Sequence, residues 1–235
     1  MSNVHVFDSR EELASAVAQQ TVDILSTAID TSGQASWVLA GGTAPLAAYQ
    51  VIATSHVDTL DWSRVTFIMG DERIASSEHS NWQAIDTILK RLPARKFAPN
   101  ITIPAIESAT DYERYLHVLP RADNGLPRFD LVWLGLGEDG HTLSLFPNHA
   151  SLYPSNKLVV AVENAPKPPA NRISLSLRAL QGTQNAMIIT SGTTKRSAIS
   201  GALSGNNSPI AIASSIIATH GGEVEWYIDK DAATD

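Results

Sequence analysis

Short apolar runs alternate along this chain with longer segments in which apolar residues recur at helical spacing. The runs at 36–40, 65–69 and 129–134 are largely apolar, which is typical of strands buried on both faces of a sheet. Weaker strand patterns lie at 4–7, 158–162, 172–176, 185–190 and 224–229. Because strands that alternate with helices form parallel sheets, the pattern predicts an α/β fold with a mostly parallel, Rossmann-like sheet and helices on both faces.

Capping patterns predict where the helices begin. Residues 9–12 (Ser-Arg-Glu-Glu) have the spacing of a capping box and open the first helix. Pro45 stands where a second helix begins, since the missing N–H of proline costs nothing in the first turn. Ser80 is expected to cap a helix that runs through Leu92, and residues 110–113 (Thr-Asp-Tyr-Glu) match a further capping box.

Composition restricts the class of protein. At 235 residues the chain is long enough for one α/β domain, and we expect a single domain over residues 1–235. The absence of cysteine excludes disulfides, thiolate nucleophiles and cysteine-ligated zinc. A net charge of −7 argues against nucleic acid as a partner, although a few local cations and backbone N–H groups suffice to bind a small anion. Neither a signal peptide nor a membrane-length apolar run is recognisable, so we expect a cytoplasmic protein without a membrane partner.

The strand predicted at 129–134 leads directly into a glycine-rich loop that carries an acid and a histidine. Three of the six residues at 135–140 are glycine, so the backbone can turn sharply and approach a ligand closely. His141 follows at the carboxyl end of the strand, where open α/β sheets bind ligands, and its imidazole can exchange a proton near neutral pH. Asp139 is a candidate to fix the tautomer of His141 or to hold substrate hydroxyls. The alternatives are a structural histidine and a turn-forming aspartate.

A second glycine-rich turn precedes the helix predicted at Pro45. Gly41, Gly42 and Thr43 lie between a strand and that helix, so the free N–H groups of the helix start and the Thr43 hydroxyl form a candidate phosphate site. The segment is neither a Walker motif nor a dinucleotide fingerprint, and an ordinary strand-to-helix turn is the alternative.

Charged residues near other strand ends are candidate anion ligands. Arg73 is suited to bind phosphate or carboxylate oxygens, with Asp71 orienting the arginine or a water molecule. The alternative for this pair is a solvated charged loop. Lys195 is a candidate to neutralise a phosphate at the start of the following helix, and Arg172 is a further candidate. Their alternatives are a surface lysine and a charge at the start of a strand.

Two other kinds of site are not favoured by the sequence. Ser144 lacks the Gly-x-Ser-x-Gly setting of a serine hydrolase nucleophile. His141 and His149 lack a convincing metal-ligand spacing, so no metal is expected.

Taken together, these residues resemble the 6-phosphogluconolactonase family, which shares a superfamily with the glucosamine-6-phosphate isomerases. The resemblance runs from about Val4 to Asp229 and rests on five blocks in order, at 40–45, 70–73, 80–81, 135–147 and 191–195. The block at 135–147 is the most specific of the five. Ala44, Leu143 and Asn148 depart from the family pattern, which usually has threonine, alanine and glycine there.

The resemblance implies a NagB/RpiA-like fold and a defined reaction. That reaction is hydrolysis of 6-phospho-D-glucono-1,5-lactone to 6-phospho-D-gluconate, the second step of the oxidative pentose phosphate pathway, without cofactor or metal. His141 would deprotonate a water that attacks the lactone carbonyl and return the proton to the departing ring oxygen. The turn at 41–43, Arg172 and Lys195 would hold the phosphate, with Arg73 sharing in this contact. The only implied partner is the phosphorylated sugar lactone, bound by a monomer or weak homo-oligomer.

Three alternatives remain open at this stage. A glucosamine-6-phosphate deaminase or isomerase resembles this chain through the histidine loop but continues into an Asn-Glu-Pro segment that supplies a further carboxylate. The segment at 144–147 (Ser-Leu-Phe-Pro) has no acid, which favours the lactonase. A non-catalytic sugar-phosphate sensor normally carries a DNA-binding module, for which no segment is spare. The third alternative, a scaffold protein, does not explain why the polar motifs are aligned at the strand ends.

Overall fold

Within residues 3–153 and 155–233, which the computed structural model describes, seven parallel strands form a central sheet. The strands along the chain are β1 (Asn3–Phe7), β2 (Ala35–Leu39), β3 (Val65–Met69), β4 (Asp71–Arg73), β5 (Arg95–Phe97), β6 (Phe129–Leu134), β7 (Val159–Val162), β8 (Arg172–Leu175), β9 (Thr183–Thr190) and β10 (Glu223–Asp229). The central sheet has the order β1-β10-β9-β6-β2-β3-β5, and β4-β8-β7 form a small antiparallel sheet beside it. The predicted fold class, an α/β protein with a mostly parallel sheet, is confirmed.

Helices connect the strands and begin largely at the predicted caps. They are α1 (Arg10–Ser32), α2 (Thr43–Ser55), α3 (Asn81–Leu89), α4 (Ala105–Leu116), α5 (Arg196–Leu203) and α6 (Pro209–Thr219). The Ser9 side chain accepts a hydrogen bond from the Glu12 backbone N–H (3.1 Å), and the Glu12 carboxylate accepts one from the Asp8 N–H (3.2 Å). The predicted Ser9 cap of α1 is therefore confirmed, while the reciprocal bond to Glu12 comes from the residue before the cap rather than from Ser9 itself.

The core lies against the central strands. Every residue of β2, β3 and β6 is buried, as expected for strands covered on both faces. Trp37 of β2, Tyr49 of α2 and Trp133 of β6 form an aromatic cluster, with the Tyr49 and Trp133 ring centroids 4.6 Å apart. The indole N–H of Trp133 donates to the hydroxyl of Thr21 in α1 (3.2 Å), so α1 and α2 pack on this cluster together.

The charged triplet at 71–73 is a strand, so the alternative interpretation of this segment as a solvated charged loop is wrong. It forms β4, which pairs antiparallel with β8, and both Asp71 and Glu72 are buried. The Glu72 carboxylate accepts hydrogen bonds from the backbone N–H groups of Arg73, Asn81 and Trp82 and from the Ser80 hydroxyl. These four donors offset the cost of burying the carboxylate and fix the start of α3 to β4.

Two predicted helix boundaries also differ from the structure. Thr110 does not cap a helix, because it lies inside α4 and its hydroxyl donates to the carbonyl of Ile106 one turn earlier (2.9 Å). A threonine followed by a glutamate has the same spacing inside a helix as at its start, so the local pattern is ambiguous. Ser80 caps α3 as predicted, but α3 ends at Leu89 rather than Leu92.

The path of the chain creates a crevice at one edge of the central sheet. From β2 the chain continues outward through β3 to β5, then returns to the other side of β2 at β6 and continues to β9 and β10. The direction of winding therefore reverses between β2 and β6, and in open α/β sheets ligands bind at the carboxyl ends of such strands. In the part of the chain that the structure describes, no helix combines the length and apolar character needed to cross a bilayer.

Candidate active site

A cavity of about 370 Å³ opens at the carboxyl ends of β2, β6, β3 and β9. The predicted site residues that line it are Gly41, Gly42, Thr43, Asp71, Arg73, His141, Arg172 and Lys195. Asp139 lies directly beside His141, to which it is hydrogen bonded. The fold thus brings to one place the predicted residues that are distant in sequence.

His141 is held in one tautomer by Asp139. The Nδ1 atom of His141 lies 2.5 Å from Oδ1 of Asp139, and the histidine side chain is 17% exposed. Because an ionised carboxylate can only accept hydrogen bonds, Nδ1 carries the proton and Nε2 is the basic nitrogen of the neutral ring. The ring also packs on Phe146, with centroids 4.6 Å apart.

The electrostatic environment keeps the imidazole neutral and the carboxylate ionised. Burial lowers the pKa of His141 below its ordinary value of 6.5, and the nearby charge of Asp139 opposes this shift without cancelling it. Burial alone would raise the pKa of Asp139, but hydrogen bonds and charge from His141 and Lys167 outweigh it and lower this pKa to about 2. At neutral pH the pair therefore presents an unprotonated nitrogen oriented by a charged acceptor, the arrangement that general-base catalysis requires.

Asp71 is paired with a serine rather than with the predicted arginine. Its Oδ2 atom accepts a hydrogen bond from the Ser144 hydroxyl (2.6 Å). Arg73 donates instead from Nη1 to the carbonyl of His79 (3.2 Å). Ser144 is fully buried, so its hydroxyl serves to hold Asp71 at the cavity wall.

The cationic side chains that line the cavity differ in how many of their N–H groups are already used in hydrogen bonds to the protein. The Nε atom of Arg73 is buried and finds no hydrogen-bond partner among the residues that the structure describes. Arg172 donates to three backbone carbonyls, those of residues 167, 168 and 169, so most of its guanidinium is already engaged. Lys195 lies in the turn before α5, and burial lowers its pKa.

A protein-family model described as "Glucosamine-6-phosphate isomerases/6-phosphogluconolactonase" matches residues 8–226 of this chain. The chain belongs to this family. The predicted family is therefore confirmed. A curated relative, "6-phosphogluconolactonase 3, chloroplastic" of Arabidopsis thaliana, is 32% identical over an alignment of 246 residues, gaps included, that covers 98% of this chain and 74% of the relative.

Solved structures of similar chains agree with this membership. A 6-phosphogluconolactonase of Trypanosoma brucei has 26% identity and a TM-score of 0.86, with 99% of this chain and 98% of that chain covered. One from Shewanella baltica has 27% identity and a TM-score of 0.81, with 97% and 98% covered. These matches confirm the predicted NagB-type fold and the predicted class of enzyme, a hydrolase of the 6-phosphogluconolactonase type.

Two of the three departures from the family pattern lie at left-handed backbone positions. Asn148 has a φ of 57°, a left-handed value that glycine adopts without steric cost, which explains why the family usually has glycine at this position. Asparagine tolerates this conformation better than most other residues. Leu143 has a φ of 52° and is buried. A methyl group on Gly70 would meet its Cδ2 atom at 2.7 Å, so close packing surrounds this strained leucine.

Two of the polar residues that line the cavity without having been predicted from the sequence are Lys167 and Asn81. Lys167, in the proline-rich loop before β8, lines the cavity, and its Nζ donates to Oδ1 of Asp139 (3.2 Å). Asn81, the first residue of α3, also lines the cavity, and a methyl group on Gly41 would overlap its side-chain amide. Two features of the sequence could have identified these residues. Lys167 lies between two prolines, and Asn81 belongs to the Ser80-Asn81 block. Within the described ranges, no group of three or more His, Cys, Asp or Glu side chains is arranged to hold a metal ion.

Proposed function

We propose that this chain hydrolyses 6-phospho-D-glucono-1,5-lactone to 6-phospho-D-gluconate, the second step of the oxidative pentose phosphate pathway. The observation that carries this proposal is the His141–Asp139 pair at the wall of a cavity that four cationic side chains also line. The family membership and the names of the relatives support the same substrate. We also propose that the protein is cytoplasmic. The name of the Arabidopsis relative assigns that protein to the chloroplast.

The proposed reaction needs only the residues of this chain and one water molecule. Nε2 of His141 takes a proton from the water as its oxygen attacks the lactone carbonyl carbon, and a tetrahedral oxyanion forms. When this intermediate collapses, the bond between the carbonyl carbon and the ring oxygen breaks, and His141 returns the proton to that oxygen. Asp139 remains ionised throughout and stabilises the transient imidazolium through Nδ1.

Arg73 is the candidate we propose for stabilising the oxyanion. Arg73 lines the cavity and, among the described residues, its guanidinium donates from Nη1 to the His79 carbonyl, so Nη2 has donor capacity for a ligand oxygen. Asp71 uses Oδ2 for Ser144, and we propose that its other oxygen orients a water molecule or a substrate hydroxyl.

The phosphate is proposed to bind at the helix start formed by Gly41, Gly42 and Thr43. Gly42 is the N-cap of α2, its φ is 111°, and no side chain caps the helix, so the first N–H groups are available to an anion. Lys195 adds a positive charge from the turn before α5. Arg172 contributes charge to the same cavity. Because the phosphate is remote from the reacting carbon, its binding energy serves to orient the lactone against the base.

Replacing Lys195 by methionine should raise KM for the lactone about tenfold to a hundredfold and change kcat by only a few fold. A hydrogen bond to a charged group contributes about 1.5–3 kcal/mol, and this one is made equally in the ground and transition states. Initial rates with freshly prepared lactone give both constants. Arg196→Met is the matched control, since Arg196 is exposed and donates to the carbonyl of Asp231. A fall in kcat at unchanged KM would argue against phosphate binding by Lys195.

A comparison of two substrates separates the lactonase from the deaminase alternative. Phe146 packs on the His141 ring, in the segment where the resemblance gives the deaminases an additional acid. We therefore expect hydrolysis of the lactone above its spontaneous rate and no release of ammonia from glucosamine 6-phosphate. Ammonia release without lactone hydrolysis would reverse this assignment, and lactone binding without turnover would favour a sensor.

A further inference from the structure

The proline-rich loop before β8 is fastened by a single buried arginine. Arg172 donates from Nη2 to the carbonyls of Lys167 (2.9 Å) and Pro168 (3.1 Å), and from Nε to the carbonyl of Pro169 (3.0 Å). The guanidinium also lies over the ring of Phe146, 5.2 Å from its centroid. Three consecutive carbonyls held by one planar group fix the direction of the loop backbone.

This loop brings a lysine to the carboxylate that orients the histidine. Nζ of Lys167 lies 3.2 Å from Oδ1 of Asp139, the same oxygen that accepts the hydrogen bond of His141. The Lys167 side chain is 43% exposed, and an ion pair at this exposure contributes little to the stability of the fold. The anchored loop and the shared oxygen therefore indicate a role in the site rather than in folding.

We propose that Lys167 is a positioning residue that acts through Asp139, where its charge offsets that of the carboxylate so that the imidazole of His141 stays neutral, and that Arg172 anchors the loop that carries it. The role of the neutral imidazole as the base rests on the function proposed above. Lys167 acts through Asp139, and its effect on His141 is measurable in the protein without substrate.

The charges around His141 determine the sign of the expected effect. Asp139 and Asp71 favour the imidazolium, whereas burial and the charge of Lys167 disfavour it. The other charged side chains that face the cavity are Arg73 of β4, Arg172 of β8, Glu138 of the histidine loop and Lys195 of the turn before α5. Of the cations, Lys167 makes the direct contact with Asp139. Without it, the negative charge of Asp139 acts fully on His141, and the pKa of the imidazole rises.

The test is an NMR titration of the His141 ring in the protein without substrate, with His141→Gln used to assign its signal. In Lys167→Met we expect the ratio of charged to neutral ring at a fixed pH to rise about threefold, the effect of one unit charge several ångströms away in a water-like dielectric. Lys167→Arg keeps the charge and should restore the wild-type titration. Lys90→Met removes an exposed lysine after α3 and should leave it unchanged.

The outcomes separate this inference from the proposed function. An unchanged titration in Lys167→Met, a shift to lower pH, or the same shift in Lys167→Arg would overturn the role of Lys167, whatever the activity of the protein. If the wild-type protein fails to hydrolyse the lactone, the proposed function fails while the titration still decides the role of Lys167.

Arg172→Lys tests the anchor. Lysine keeps the charge but lacks the planar fork that binds three carbonyls, so we expect a smaller shift of the His141 titration in the same direction as in Lys167→Met. A titration identical to that of the wild-type protein, in a variant with an unchanged melting temperature, would show that the anchor has no part in positioning Lys167.

Discussion

Replacing His141 by glutamine should reduce kcat for lactone hydrolysis by about 10²–10⁴-fold and leave the fold intact. Glutamine retains an amide that can donate to Asp139, but it has no nitrogen that can take a proton from water. The rate is measured with freshly generated lactone and corrected for spontaneous ring opening, and the melting temperature reports on folding. His149→Gln is the matched control, because His149 binds Ser151 and the carbonyl of Glu163, away from this cavity. If His141→Gln retained the wild-type kcat, His141 could not be the base.

Gly137→Ala should reduce kcat by about 10²-fold or more, although the substitution adds only one methyl group. That methyl would overlap Nδ1 of His141 and come within 2.5 Å of Oδ1 of Asp139, so the base and its partner must both move. A misplacement of about 1 Å in a catalytic group can have an effect of this size. The φ of Gly137 does not lie in the left-handed region, so the loss comes from the contact rather than from backbone strain.

Gly135→Ala is the control for the glycine substitution. It lies in the same loop, and its added methyl would meet only the Gly41 carbonyl oxygen at 3.5 Å, an ordinary contact. We expect it to retain kcat within a few fold, as measured in the same assay. Equal losses in the two variants would indicate a general sensitivity of the loop and not a specific fit of His141 against Gly137.

Much of the fold follows from local patterns, and the exceptions depend on contacts that are distant in sequence. The central strands are apolar runs flanked by turns, and each pattern is complete within its own segment. In contrast, β4 has three charged residues and no apolar pattern. Its strand conformation comes from pairing with β8, and Glu72 is buried because donors from α3 surround it. No local rule predicts either contact.

The same distinction applies to the site. His141 and Asp139 are two residues apart, so their contact was predictable from the loop itself. Lys167 is 28 residues from Asp139, and Asp71 is 73 residues from Ser144, so both pairings depend on the assembled fold. Arg172 was predicted as an anion ligand from its charge alone. Its buried setting directs most of its donors to the loop backbone.

The pH dependence of kcat/KM for lactone hydrolysis, measured together with the titration of the His141 ring, is the most direct test of the proposed base. This ratio reports on ionisations of the free enzyme, and only the neutral imidazole can accept the proton. Activity should therefore fall as the pH drops through the pKa of His141, which burial lowers below 6.5. We predict an acid limb whose midpoint lies below 6.5 and coincides with the titration of the ring. A rate that stays constant across that titration would contradict His141 as the base.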